Sequence, residues 1–130
     1  MTQAIIFDMD GVIIDSEPLW KKAIIHVMNS YGYDFDIEMC NRTKGMRVDE
    51  VTRFWKEELK ATFDSEILAK EIVKEVIRLI SDEGKEIEGL ADLLKRAKAN
   101  NLRIALASSS SLIIIETVLT KLNIKSYFEV

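Results

Sequence analysis

The sequence has one cysteine, one histidine and no long apolar run among its 130 residues. With Cys40 alone, no internal disulfide can form, which fits a reducing compartment and a cytoplasmic location. With His26 as the lone histidine, and no acid or cysteine near it in sequence, a surface or core histidine outweighs a metal ligand. No Lys or Arg precedes the first apolar run, Ala4-Ile5-Ile6, and that run is far too short to span a membrane. An excess of positive charge is also lacking: 18 basic residues are dispersed among 22 acidic ones, for a net charge of −4. No basic patch therefore invites a nucleic acid or an anionic membrane. Internal repeats and low-complexity segments are absent as well. A 48% hydrophobic content is ordinary for a soluble protein and is enough for one modest core.

The most informative stretch is Phe7-Asp8-Met9-Asp10-Gly11-Val12, which follows that apolar run and leads into Ile13-Ile14-Asp15-Ser16. A short β-rich run ending in two acids and a glycine is the pattern of a buried parallel strand delivering side chains to the C-terminal edge of a sheet. Open α/β sheets place their chemistry at that edge. Asp8 and Asp10, two residues apart, share a strand face or meet at one ligand through a turn. Two such carboxylates point to a divalent cation, an acid/base division of labour, or both. Oxygen-only donors favour Mg²⁺ over zinc or copper. Gly11 can take backbone angles that turn amides inward toward a phosphate. The plainer reading, an acidic turn after a strand, accounts for the same four residues.

Further along, Asp15-Ser16-Glu17-Pro18 reads as a helix start, with Leu19, Trp20, Ala23, Ile24, Val27 and Met28 at helical spacing and Gly32 as its stop. After a polar turn, a short piece leads to Thr43-Lys44-Gly45-Met46-Arg47, where a glycine between two cations offers a bend around an anion. Solvated loop charges are the competing account. Helices are expected over 49–59 and 65–82, with Trp55 in a core and Glu71 three residues before Lys74 on a polar face. No strand pattern occurs between residues 16 and 83, so this segment reads as a four-helix insertion in an α/β domain. The α/β pattern resumes with a helix over 89–99 and an apolar strand over 102–107. Four serines, Ser108 to Ser111, then open a helix carrying Ile113, Ile114, Val118, Leu119 and Leu122. Hydroxyls and free amides at a helix N-terminus suit a phosphate, although a serine cap explains one of the four.

The segment from Ile5 to Pro18 resembles the first motif of the haloacid dehalogenase superfamily, in its branch of β-phosphoglucomutase-like sugar phosphatases. Thr43 to Asp49 and Ile104 to Ser110 are similar to later stretches of the same branch, in the same order, and resemble hexitol and 2-deoxyglucose 6-phosphate phosphatases in particular. The resemblance implies a Rossmann-like α/β core with a parallel sheet, formed by residues 1–14 and 85–130, and an inserted α-helical cap over 15–84. It implies a Mg²⁺-dependent phosphatase of a small sugar phosphate working through an aspartyl-phosphate. In that scheme Asp8 is the nucleophile and Asp10 the general acid and base. Asp8, through its carboxylate, and Asp10, through its backbone carbonyl, hold the metal. Gly11, Val12, Ser108 and Ser109 or Ser110 would bind the phosphate, with Lys44 and Arg47 reaching substrate from the cap.

Members of this branch continue with a motif carrying a lysine and then a strand ending in paired acids, and neither is present here. Residues 123–130 read as a turn and the opening of a third strand; Lys125 stands in the wrong context for the family's lysine. The expectation is an N-terminal part of a sugar phosphatase with an incomplete sheet: a truncated or proteolysed product, a split gene product completed by a C-terminal chain or segment, or a decayed enzyme, among which the residues do not choose. The alternatives are a β-phosphoglucomutase-type phosphoryl transfer and a non-catalytic phosphosugar-binding fragment. The particular sugar phosphate and the oligomeric state are not legible in the residues.

Overall fold

The computed structural model describes residues 3–129. Its elements in chain order are strand β1 (Ala4–Asp8), helices α1 (Glu17–Ser30), α2 (Ile37–Arg42), α3 (Val48–Glu58), α4 (Ser65–Glu83) and α5 (Leu90–Ala99), strand β2 (Arg103–Ala107), helix α6 (Leu112–Lys121) and a 3₁₀ turn at Lys125–Tyr127. The protein is α/β, and its two strands pair in parallel from Ala4↔Arg103 to Asp8↔Ala107. Parallel neighbours need a crossover connection. Here the crossover is long enough to hold four helices besides α5.

The chain divides into two compact units, Met1–Glu17 with Ile80–Val130, and Pro18–Leu79. The first contains the sheet. Phe7 and Ile104 are buried on it, Leu90, Leu94 and Ala97 of α5 join them, and Ile114, Val118 and Leu119 of α6 extend the core. Side chains alternate along a strand, so Ile6 points opposite to Phe7 and is 69% exposed in mid-strand. Gly84, just after α4, is required by close approach: a Cβ there would lie 2.5 Å from the carbonyl oxygen of Ile80.

The second unit is entirely helical. Its core runs through Leu19, Ala23, Val27 and Met28 of α1 and Leu68, Ile72, Val76 and Leu79 of α4, all buried at the three- and four-residue spacing that gives a helix one apolar stripe. Phe35 and Phe54 meet Trp55 edge-on at 4.9 and 5.1 Å between ring centres. Residues 37–42, read in the sequence only as a short piece after a polar turn, make α2. The Asp36 carboxylate caps it by accepting the Met39 N–H at 2.9 Å.

The C-terminal residues differ from expectation. Asn123 makes the turn in a left-handed conformation, but the 3₁₀ turn Lys125–Tyr127 follows in place of a third strand. Phe128 is then extended, its ring edge-on to Phe7 at 6.1 Å, and the Glu129 N–H donates to the Ile104 carbonyl at 2.8 Å. A strand-like step beside β2 is therefore formed for one bond only. Val130, where the expected strand ends, lies outside the described residues.

Candidate active site

β1 ends on Asp8, an exposed residue paired across the sheet with Ala107, so the end of β1 and the start of the serine run lie side by side. The Asp8 carboxylate accepts the N–H of Met9 at 2.8 Å. The chain then turns sharply. Met9 is fully buried, and its carbonyl collects the N–H groups of Val12, Ile13 and Ile14 at 3.3, 2.8 and 3.3 Å. Gly11 makes this turn possible at φ +80°, a conformation costly for any residue with a Cβ. Its N–H donates to the Ile14 carbonyl at 2.8 Å, so the amides of Gly11 and Val12 are both committed within the loop. Val12 itself is 43% exposed. Residues 85–87 brace the loop from outside, with the Ile87 N–H on the Ile13 carbonyl at 2.9 Å and Ile14 bridged to Glu86.

Asp10 is where distant parts of the sequence meet. The Ser16 hydroxyl donates to its Oδ1 at 2.5 Å, and the Ser110 hydroxyl donates to its Oδ2 at 3.3 Å. Ser108, at the end of β2, accepts the Ser110 N–H at 3.1 Å through its hydroxyl oxygen, which shapes the serine run into a tight turn. Ser109 is exposed beside it. Ser111 caps α6 with its carbonyl, which accepts the N–H groups of Ile114 and Ile115, and not with its hydroxyl. The helix cap thus uses one serine's backbone and leaves the Ser110 hydroxyl to reach the β1 loop at Asp10, while the Ser108 hydroxyl is engaged within the serine run. Of the residues singled out in the sequence, Asp10 and Ser110 are in direct contact. Ser16 was legible only as a helix start, because its bond to Asp10 depends on the loop's path.

Lys44 and Arg47 belong to the helical unit and are exposed. Gly45 between them has φ +85°. Arg47 precedes α3 and its guanidinium pairs with Asp49 at 3.3 Å and Glu50 at 3.2 Å, so any anion it met would compete with these carboxylates. His26 is exposed on α1, at a shallow groove also lined by Lys22, Asn29, Glu75 and Arg78. Cys40 is buried, and burial pushes its thiol pKa up, away from the reactive thiolate.

No group of three or more His, Cys, Asp or Glu side chains is arranged to hold a metal among the described residues. Asp8 and Asp10 nevertheless offer the oxygen donors a hard cation takes. Mg²⁺ keeps several waters and needs only one or two carboxylates together with a substrate phosphate, so this donor set fits it. Among the described residues, no helix is long and apolar enough to cross a membrane.

The family profile of haloacid dehalogenase-like hydrolases matches residues 5–130, nearly the whole chain. The chain belongs to that family. Among characterised relatives of this haloacid dehalogenase-like protein, hexitol phosphatase B of Escherichia coli (strain K12) is 34% identical over 131 residues. That match covers 97% of this chain and 58% of the relative. The phosphorylated carbohydrates phosphatase of Thermotoga maritima is 32% identical, over 98% of this chain and 59% of its own. The fold is similar to that of CbbY from Rhodobacter sphaeroides, solved in complex with phosphate. Its TM-score is 0.85 at 22% identity, over 98% of this chain and 61% of CbbY. This haloacid dehalogenase-like chain thus spans less than two thirds of the relatives it matches.

Proposed function

We propose that this chain carries the nucleophile, the acid/base and the phosphate cradle of a phosphatase acting on small sugar phosphates. The observation that carries this reading is the contact of Asp10 with serines from two segments, beside Asp8 at the C-terminal ends of two parallel strands. The names of the relatives supply the substrate class.

In this reading an oxygen of the Asp8 carboxylate attacks phosphorus, and the bond from phosphorus to the sugar oxygen breaks. Asp10 gives its proton to that oxygen, releasing the sugar as an alcohol. Asp10, now a carboxylate, takes a proton from water, whose oxygen attacks the phosphorus of the aspartyl-phosphate and restores Asp8 with inorganic phosphate. Splitting one hydrolysis into two displacements lowers the barrier of each. Mg²⁺, held by the Asp8 carboxylate and the Asp10 carbonyl, would offset phosphate charge. The Ser108 hydroxyl, with Ser109 or Ser110, holds the phosphoryl oxygens. The helical unit serves as the cap, with Lys44 and Arg47 as the cations it offers to substrate. Gly11 and Val12 shape the phosphate side of the loop. The lysine-bearing and paired-acid motifs of the branch are not among these 130 residues. The lone, buried Cys40 fits a cytoplasmic setting.

The test is release of inorganic phosphate from a panel of hexose, deoxyhexose and hexitol phosphates with Mg²⁺, alongside Asp8→Asn. Release that the variant abolishes is the expected result. No release from the folded chain overturns catalysis by these residues alone; retained binding of inorganic phosphate would then favour the non-catalytic phosphosugar-binding reading.

A further inference from the structure

The helical unit carries a concavity of its own, away from Asp8 and Asp10. Helices α1 and α4 leave a groove of about 400 Å³ between them, within the size range of sites for small organic ligands. Lys22, His26 and Asn29 line it from α1, at spacings of four and three residues that align them along one side of the helix. Glu75 and Arg78 line it from α4, and Ile25 and Leu79 add apolar surface. The polar lining consists almost wholly of donors. Both oxygens of Glu75 accept from Arg78, at 2.6 and 3.1 Å, so the one carboxylate of the groove is committed to one of its cations. Asn29 accepts the Phe35 N–H through its Oδ1 at 2.8 Å, and the group it keeps for a ligand is its NH₂. Lys22 and Arg78 only donate, and His26 presents at least one ring N–H. Two fixed cations stand here against one carboxylate, in a chain whose net charge is −4. The Glu75 side chain is mostly covered, while that of Arg78 is 57% exposed and open to a ligand from solvent.

We propose that this groove is a binding site for a small organic phosphate. Its oxygens accept from Lys22, His26, Asn29 and Arg78, and its carbon body lies on Ile25 and Leu79. A planar guanidinium fork beside a lysine point charge suits a phosphate group, whose several oxygens match a lining of donors. Glu75 orients the Arg78 guanidinium and, by its own charge, keeps the affinity modest. The site lies wholly within Pro18–Leu79 and uses none of the residues assigned to catalysis, so it stands or falls independently of the phosphatase reading.

The experiment uses the one histidine as its reporter, since the imidazole carbon-bound protons of His26 give signals that no other residue of the chain can give. Phenylphosphonate, which joins an apolar ring to the phosphate-like group through a phosphorus–carbon bond that phosphatase chemistry does not cleave, is titrated into the full chain at pH 7 and constant ionic strength. The His26 signals, followed by ¹H–¹³C NMR, should shift and saturate with a Kd of about 1–10 mM. Lys22→Gln and Arg78→Gln change exposed side chains and should each weaken binding about threefold to tenfold while leaving the unfolding midpoint near wild type. Arg78→Lys, which keeps the charge and loses the fork, should fall between Arg78→Gln and wild type. Where Arg78→Gln does not fold, Lys22→Gln carries the comparison. A shift that stays linear in phenylphosphonate, or one that saturates identically in wild type, Lys22→Gln and Arg78→Gln, overturns the proposal. Asp8→Asn should leave this titration unchanged whether or not the wild type releases phosphate, which keeps failure of the groove distinct from failure of the phosphatase reading.

Discussion

The two units of this protein meet the demand for apolar burial in opposite ways. The helical unit closes on itself: Trp55 is 1% exposed, Leu68 and Val76 are fully buried, and its charges sit outside in short-range pairs such as Arg42–Glu58 and Arg53–Asp49. The sheet unit is two strands wide among the described residues and leaves Ile6 open at mid-strand, although parallel sheets ordinarily cover both faces. Its distinctive bonds are long-range, above all the contact between Ser110 and Asp10 across 100 residues. Stability should therefore respond most to change in the helical unit, and chemistry to change in the sheet unit.

The sharpest way to break that division is Asp8→Asn. The substitution is nearly isosteric at an exposed strand end, so the unfolding midpoint should stay close to wild type while phosphate release falls at least a thousandfold. A large loss of stability would place Asp8 in the framework as well as the chemistry. Trp55→Ala should do the reverse. It removes the ring that packs on Phe35 and Phe54 beneath the Arg42 guanidinium, which lies 5.1 Å from the Trp55 ring centre, and should cost about 3–5 kcal/mol in urea unfolding. The Trp55 Nε1–H is buried without a partner, so its loss removes no hydrogen bond and trims the cost toward the lower end.

How much of this was legible in the sequence follows from the range of each interaction. The acids of the β1 loop announced themselves because strand, turn and glycine are adjacent, and α4 because it repeats its apolar residues over 19 positions. Helix α2, six residues long, has too few turns to display a period, and its cap, Asp36, reads in the sequence only as part of a polar turn. The 3₁₀ turn at Lys125–Tyr127 was hidden for the same reason, and an apolar tail read as a strand in its place. The hold of Ser16 and Ser110 on Asp10 has no local signature at all. It arises from a loop path set by the Met9 carbonyl and from strand pairing between segments a hundred residues apart.

Smaller effects refine the contrast. Gly84→Ala would ordinarily be neutral or stabilising at a residue without positive φ, because it restricts the unfolded chain. Here the new Cβ meets the Ile80 carbonyl oxygen at 2.5 Å, a backbone atom that cannot swing aside, so a loss of about 1–3 kcal/mol is expected by the same urea measurement. Ile6→Thr, at 69% exposure, should shift stability by no more than about 0.5 kcal/mol while raising the solubility limit. A loss of several kcal/mol would mean that the open face is covered in solution.

The smallest effect lies on the helical unit's surface and has a sign that pH can reveal. Glu75 accepts hydrogen bonds from Arg78 at 2.6 and 3.1 Å, and this bond, reinforced by the charges of Arg78 and of His26 across the groove, holds its carboxyl below the ordinary carboxylate value against a weaker upward push from burial. Lys22 lines the same groove and adds no opposing negative charge. A carboxylate whose folded pKa is depressed contributes stability in full above its unfolded pKa, near 4.3, and loses it as pH falls through the lower folded value. With Arg78 more than half exposed, solvent screens the pair even though the Glu75 side chain is mostly covered, so Glu75→Gln should cost no more than about 0.5 kcal/mol at pH 7, and the difference from wild type should shrink as pH falls and the wild-type carboxyl takes up its proton. Urea midpoints measured from pH 7 into acid distinguish charge from packing. A difference that persists in acid would show that Glu75 supports α4 through its stem, making even this surface pair part of the helical unit's closed framework.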